Sequence, residues 1–287
     1  MVKFFRNFSD RNRVEAFTDR TWGASGHVSY FLYDSLSQKV TYSFSNQELK
    51  LKDKDNKDIP LMIQEQADTG AKKTSKISLQ TFYDKRDNRM EPTSGYALLL
   101  MNDFAGLGGD VSYMKNEIKT ACHFPVTDKI VLNLRGRAGI VFADNLLITD
   151  HFMLGAESFH GFEVWGVGPR VQGKGDNDQD KKKQSWPLGG KKYYTGAVEF
   201  SFPVGAPELG VKLLAYGEFG DLWDSGYKPN SQDIVFDNES SFRASVGVGV
   251  AVSVPFIGRI RLDYAVPILK AAYDKEYSFS FGMDYKL

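Results

Sequence analysis

The sequence predicts an all-β protein, a transmembrane antiparallel β-barrel of about twelve strands. Three observations predict it. Long segments alternate apolar and polar side chains, connections are short and long by turns, and the composition is rich in aromatic residues and glycine with no net charge. Successive side chains of a strand point to opposite faces, so strict alternation gives each strand one apolar and one polar face.

Along the chain, Arg13–Arg20 is the poorest of these segments. It is followed by Trp22–Asp34, Gln38–Leu51, Ser75–Asp84, Gly95–Gly106, Asp110–Pro125, Lys129–Ala143, Tyr193–Val204 and Gly210–Trp223. The last three are the clearest. Phe242, Ala244, Val246, Val248, Val250, Val252 and Val254 alternate with Arg243, Ser245, Gly247, Gly249, Ala251 and Ser253. Ile260, Leu262, Tyr264 and Val266 alternate with Arg259, Arg261, Asp263 and Ala265. Tyr277, Phe279, Phe281, Met283, Tyr285 and Leu287 alternate with Ser278, Ser280, Gly282, Asp284 and Lys286. A soluble sandwich also alternates, but its strands run to about 5 or 6 residues, and here the polar face carries glycines and full charges. In a membrane barrel the apolar face meets lipid and the polar face a wet lumen.

The connections fit the two ends of such a barrel. Pro125–Asp128 and Pro255–Gly258 are short, whereas Lys52–Thr74, Phe152–Lys192 and Asp224–Ser240 are long and polar. The charged stretch Gly173–Lys183 mixes both signs and reads as a solvated loop tip. There are 14 Tyr, 21 Phe and 27 Gly, which suits aromatic girdles and many turns.

Several classes are disfavoured. Lysine plus arginine equals aspartate plus glutamate at 36 each, which excludes a nucleic-acid binder driven by bulk positive charge. Val246 to Ile257, the most apolar stretch, is broken by Gly247, Gly249 and Pro255 and is too short for a membrane-spanning helix. The start, MVKFFRNFSDRNR, lacks the apolar core of a signal peptide. Cys122 is the sole cysteine and reads as a small apolar filler. His27, His123 and His151 show no metal-ligand spacing, and no nucleophile elbow, phosphate loop or zinc-protease motif occurs. The expectation is a protein with no catalytic residues, no metal and no cofactor.

Three passages, in order, resemble the BamA family of outer-membrane barrel assembly factors (the bacterial surface antigen family). The first is a turn, Asp84-Lys-Arg86-Asp87-Asn88-Arg-Met-Glu-Pro92-Thr93-Ser-Gly95, followed by Phe104–Gly109. The second is Met153-Leu-Gly155-Ala-Glu-Ser-Phe159-His160-Gly161-Phe162 with Gly168-Pro169-Arg170, similar to the family's lid loop. The third runs from Arg243 to Gly247, through Pro255–Pro267, to Phe279–Gly282.

The resemblance implies that residues 1–287 are the C-terminal portion of a sixteen-stranded barrel, with POTRA domains and the first strands absent. It implies a bacterial outer membrane, lipid and unfolded barrel proteins as partners, lipoproteins of the assembly machine in the full-length family, and insertion of clients through a lateral seam. The alternatives are a TamA-like or two-partner-secretion translocator, and a passive pore or structural surface antigen. In the family a lid arginine pairs with lumenal acids. Here His160 stands at that position, and Glu199 and Glu218, both on polar faces, are the expected partners. Histidine has at most two donors and titrates near neutral pH, unlike the fixed fork of arginine.

Overall fold

The structure, a computed structural model, describes residues 2–10, 17–51, 59–143, 146–173, 185–205, 210–228, 233–254 and 258–284. Strands β1 (Val2–Asp10), β2 (Phe17–Tyr33), β3 (Leu36–Leu51), β4 (Lys72–Asp84), β5 (Gly95–Gly109), β6 (Tyr113–Pro125) and β7 (Val131–Phe142) come first. The long connection that follows holds three short strands, β8 (Gly161–Phe162), β9 (Arg170–Gly173) and β10 (Trp186–Pro187). Then come β11 (Lys192–Pro203), β12 (Val211–Trp223), the short β13 (Asp233–Phe236), β14 (Arg243–Val254), β15 (Gly258–Leu269), the two-residue β16 (Glu276–Tyr277) and β17 (Phe279–Asp284).

Twelve of these form one sheet in the order β1-β2-β3-β4-β5-β6-β7-β11-β12-β14-β15-β17, each pair antiparallel. The sheet is not closed: β1 and β17 are its two edges. The fold is that of a transmembrane barrel wall. Val246, Val248, Val250, Leu262, Tyr264 and Val266 point outward and are exposed, while Ser245, Ala251, Arg261, Asp263 and Ala265 are buried on the lumenal face. On β14 the contrast is 59% exposure at Val248 against 1% at Ser245. Ala244, expected on the outward row, is buried between its cross-strand partners, Phe219 of β12 and Leu269 of β15.

Two expectations about the strands are corrected. Thr18–Arg20, expected in a separate segment, is the start of the 17-residue β2, and the strand before it is Val2–Asp10, which pairs from Val2↔Gly26 to Asp10↔Thr18. The last strand is divided: Phe279–Asp284 pairs with β15, whereas Glu276–Tyr277 leaves the sheet to pair with β8. Tyr285 to Leu287 lie outside the described residues, as do residues 174–183 of the charged stretch, residues 11–16 and the turn at 255–257.

All three long connections are also structured, the last by β13. Residues of the 52–74 connection form α1 (Leu61–Asp68), whose first two free N–H groups, on Leu61 and Met62, donate to the Asp233 carboxylate at 3.0 and 3.1 Å. That carboxylate also accepts from Tyr227 Oη at 2.7 Å. Met62 and Ile63 pack with Leu49, Ile148, Val171 and Leu188 beneath the small sheet β10-β9-β13. The lumen is therefore not simply wet. The connection between β7 and β11 folds inward and fills it with Phe152, Leu154, Phe159, Phe162 and Val167 against Tyr113, Tyr193 and Leu222 of the wall.

Candidate functional site: the lid and the lumenal charge network

The lid begins as a tight turn, Ala156–Ser158 in 3-10 conformation, tied by Ser158 Oγ to the Gly155 backbone at both N–H (3.0 Å) and C=O (2.9 Å). The chain then extends, and alternation sends Phe159 and His160 to opposite sides. Phe159 and Phe162 are fully buried, their ring centroids 5.0 Å apart. Gly161 between them has φ +90°, in the region that disfavours other residues, and a Cβ there would meet Ser245 Cβ and Pro267 N at 3.3 Å. Its backbone can thus lie flat against β14 and β15.

His160 is placed by that geometry against Glu218 of β12. Its N–H donates to Oε2 at 2.8 Å and its Nδ1 lies 3.0 Å from Oε1. The other ring nitrogen, Nε2, faces Asp263 Oδ2 of β15 at 3.7 Å. The ring packs on Tyr216, centroids 5.3 Å apart, and the guanidinium of Arg261 lies over the same tyrosine ring at 5.0 Å.

Glu199 is not brought to His160. It accepts from Arg261 Nη1 at 2.7 Å, Arg135 Nη2 at 3.2 Å and Asn133 Nδ2 at 3.3 Å. Arg261 Nε also donates to Asp263 at 2.6 Å, and Arg135 lies 3.8 Å from Glu218. Three buried carboxylates are therefore held by two arginines and one histidine, in a network that reaches from β7 and β11 across to β15. A buried acid is tolerable only when paired and hydrogen-bonded, and each of these is.

A second buried knot pins the far side of the lid. Arg243, fully buried, donates from Nε and Nη2 to Asp274 at 2.9 and 3.2 Å, and from Nη1 to Asp221 and to the Ser241 carbonyl. Asp274 also accepts from Gly168 N–H at 3.3 Å, which joins the Gly168-Pro169-Arg170 passage to the wall. Arg170 itself donates to the carbonyls of Ser185 and Trp165 and to Ser185 Oγ. Burial lowers its pKa to about 10, against the pull of Asp274, Glu163 and Asp237.

The Asp84–Gly95 turn is a separate unit at the short-turn end, tied to β12 by the ion pair of Glu91 with Lys212 at 3.2 Å. Arg86 forks onto Asp84 at 2.8 and 3.0 Å. Asp87 accepts from Thr93 Oγ1 at 2.6 Å and from the N–H groups of Thr93 and Ser94, and Asn88 Oδ1 accepts from Met90 and Glu91 N–H. Slight burial opposes ionisation of Asp87, but these hydrogen bonds prevail and hold its carboxyl well below the usual carboxylate range. Pro92 lies in the same loop, and Gly95 has φ +94° with Lys85 O only 2.2 Å from where a Cβ would sit.

The profile of the Omp85 superfamily domain matches residues 2–286. The chain belongs to the Omp85 superfamily. It is 32% identical over 286 residues to the outer membrane protein assembly factor BamA of Neorickettsia risticii (strain Illinois), covering 98% of this chain and 36% of that protein. It is 26% identical over 237 residues to the SAM50-like protein CG7639 of Drosophila melanogaster, covering 80% of this chain and 49% of that one. The crystal structure of BamA from Haemophilus ducreyi lacking POTRA domains 1-3 superposes with a TM-score of 0.81 over 98% of this chain and 57% of that chain, at 17% identity, a likeness of fold. The chain thus spans 36 to 49% of the length of these two curated relatives.

In this Omp85 barrel the residues that sequence reasoning did not single out are Arg135, Tyr216, Arg261 and Asp263. Arg261 and Asp263 stand in the polar row of β15, and Arg135 stands two residues from Asn133 on the lumenal face of β7. Parity marks all of them as inward. What parity lacks is which strands face each other across the lumen.

Proposed function

We propose that this Omp85 barrel promotes the folding and insertion of other β-barrel proteins in an outer membrane, by offering an exposed strand edge, with no covalent chemistry, metal or cofactor. The observation that carries this reading is a barrel wall with outward apolar rows whose lumen is stoppered by the lid instead of being left open as a channel. An unpaired strand edge is a template for another strand. A lumen filled by Phe159 and Phe162 favours assembly over conduction.

The bacterial outer membrane is the reading adopted here, since the bacterial relative is 32% identical and the insect one 26%. Lipid is the medium of the outward apolar rows, and unfolded barrel proteins are the substrates. Partner lipoproteins belong to the whole protein. The contact of His160 with Glu218 is taken as the latch that keeps the lid docked.

The test is a proteoliposome assay in which an unfolded client barrel is added and both its folding and ion conductance are followed. Faster client folding with little conductance is the expected result. Conductance without acceleration would replace this reading with a passive pore.

A further inference from the structure

The outward face of the barrel wall is largely apolar, and among its polar groups one pair is used by neither the lid nor the edges. On β5 the outward row is Tyr96, Leu98, Leu100, Asn102 and Phe104, and on β6 it is Met114, Asn116, Ile118, Thr120, Cys122 and Phe124. Phe104, Met114, Ile118 and Phe124 are all exposed, which fixes this face as the outer one. Asn102 and Asn116 are direct cross-strand partners, and Asn102 Nδ2 donates to Asn116 Oδ1 at 2.8 Å. Their neighbours in the same row are Leu79 on β4 and Ile140 on β7.

Each amide has two N–H donors and an acceptor oxygen. The pair uses one N–H and one oxygen, so the second N–H of Asn102, both N–H groups of Asn116 and the oxygen of Asn102 have no partner among the described residues. In hydrocarbon no water satisfies them, and each such group carries a desolvation penalty. Acyl chains cannot relieve it. An incoming strand would pair at the edges β1 or β17, and β5 and β6 stand fifth and sixth in a row of twelve.

We propose that the outward face of the β5–β6 hairpin is a contact site for a second copy of this chain within the membrane, centred on the Asn102–Asn116 amide pair. A two-fold axis at this point sets each amide pair against its own copy. Because an amide both donates and accepts, the free N–H groups of one copy meet the free oxygen of the other, which is the self-complementarity that an isologous contact requires. Small outward side chains beside the pair, Ala138 and Gly136 of β7 opposite Ile118 and Thr120, allow the two walls to approach closely. The contact leaves both sheet edges free, so it does not depend on the assembly reading.

The experiment uses the full chain labelled with donor or acceptor dye and reconstituted in phosphatidylcholine vesicles. Energy transfer is followed as the protein-to-lipid ratio is varied. The unmodified chain should associate, and the double variant Asn102→Leu/Asn116→Leu should associate at least about tenfold more weakly. Heat-modifiable migration on gels reports whether the variant is folded. Its transition should be unchanged or raised, since two amides leave the lipid face. A second measurement, in a Cys122→Ser background, compares cross-linking between copies at Ile118→Cys, which leaves both amides in place, with that at Val248→Cys, an outward position on β14. Cross-linking should be confined to the first. An unmodified chain monomeric at every ratio, equal association of the double variant, or equal cross-linking at both positions overturns the proposal.

Discussion

His160 holds Glu218 twice, through its backbone N–H at 2.8 Å and its ring Nδ1 at 3.0 Å from the two carboxylate oxygens. Only the second of these bonds belongs to the histidine side chain. His160→Ala should therefore loosen the lid less than Glu218→Ala, which removes both bonds and leaves Arg135 with one acid fewer. A hydrogen bond to a charged group is worth about 1.5–3 kcal/mol. The readout is protease cleavage of the connection between β7 and β11 in folded protein, with Glu218→Ala cut fastest. His160→Arg should stay protected, because a guanidinium can span Glu218 and Asp263. Equal cleavage of the unmodified chain and both alanine variants removes the latch from the mechanism.

The Arg243 knot should be less forgiving. Removing one member of a buried, hydrogen-bonded ion pair costs about 3–5 kcal/mol, because the remaining charge is stranded. Arg243→Leu strands two fully buried acids, Asp221 and Asp274. Its heat-modification transition should drop further than that of Asp274→Asn, which keeps a neutral acceptor for Arg243 Nε. The reverse order of the two transitions would count against the knot as the anchor of the lid.

Acid should weaken the lid through His151. Burial presses the pKa of this ring below its ordinary value, although both ring nitrogens face carbonyls, of Leu147 at 3.1 Å and Ser225 at 2.9 Å. A histidine whose folded pKa lies below its unfolded value, near 6.5, binds more protons when unfolded. Its contribution is complete above that pH and is lost as pH falls below it. The unfolding transition in detergent should decline from pH 7 to 5, and His151→Gln should flatten the decline. An unchanged slope in the variant refutes the assignment.

Val248→Arg places a charge on the lipid face and should cost about 2–4 kcal/mol if near the midplane. Thr41→Arg, on the lumenal face of β3 between the exposed Val40 and Tyr42, should be tolerated. Yields of folded barrel for the two variants measure the difference. Ser245 is not a suitable lumenal control despite its parity, since it is packed under the lid next to Gly161.

That last point shows where parity stops. The wall was legible because lipid on one side and lumen on the other force period two, and Ser245 to Val250 obeys it residue by residue. Glu199 and Glu218 were read as inward on the same ground, and both are. Their pairing was not legible: Glu199 is occupied by Arg135 and Arg261, and the second acid at His160 is Asp263. Contacts across the lumen depend on the curvature of the sheet, which a strand does not encode in its own alternation. Val2–Asp10 was passed over because Phe4 and Phe5 are adjacent and break the period. The helix Leu61–Asp68 was hidden in a connection because eight residues give too little period to register, and its N-terminus is satisfied from position 233.

The pairing of Phe162 with Glu276 joins positions 114 apart in sequence (276 minus 162). Glu163 N–H to Lys275 O and Lys275 N–H to Gly166 O extend the same junction. Closing a loop over that span costs conformational entropy, which the pairing of the intervening strands offsets. The lid is therefore sealed only where the connection between β15 and β17 is in place. A change that frees this connection would unseal the interior while leaving the strand pairs of the wall intact.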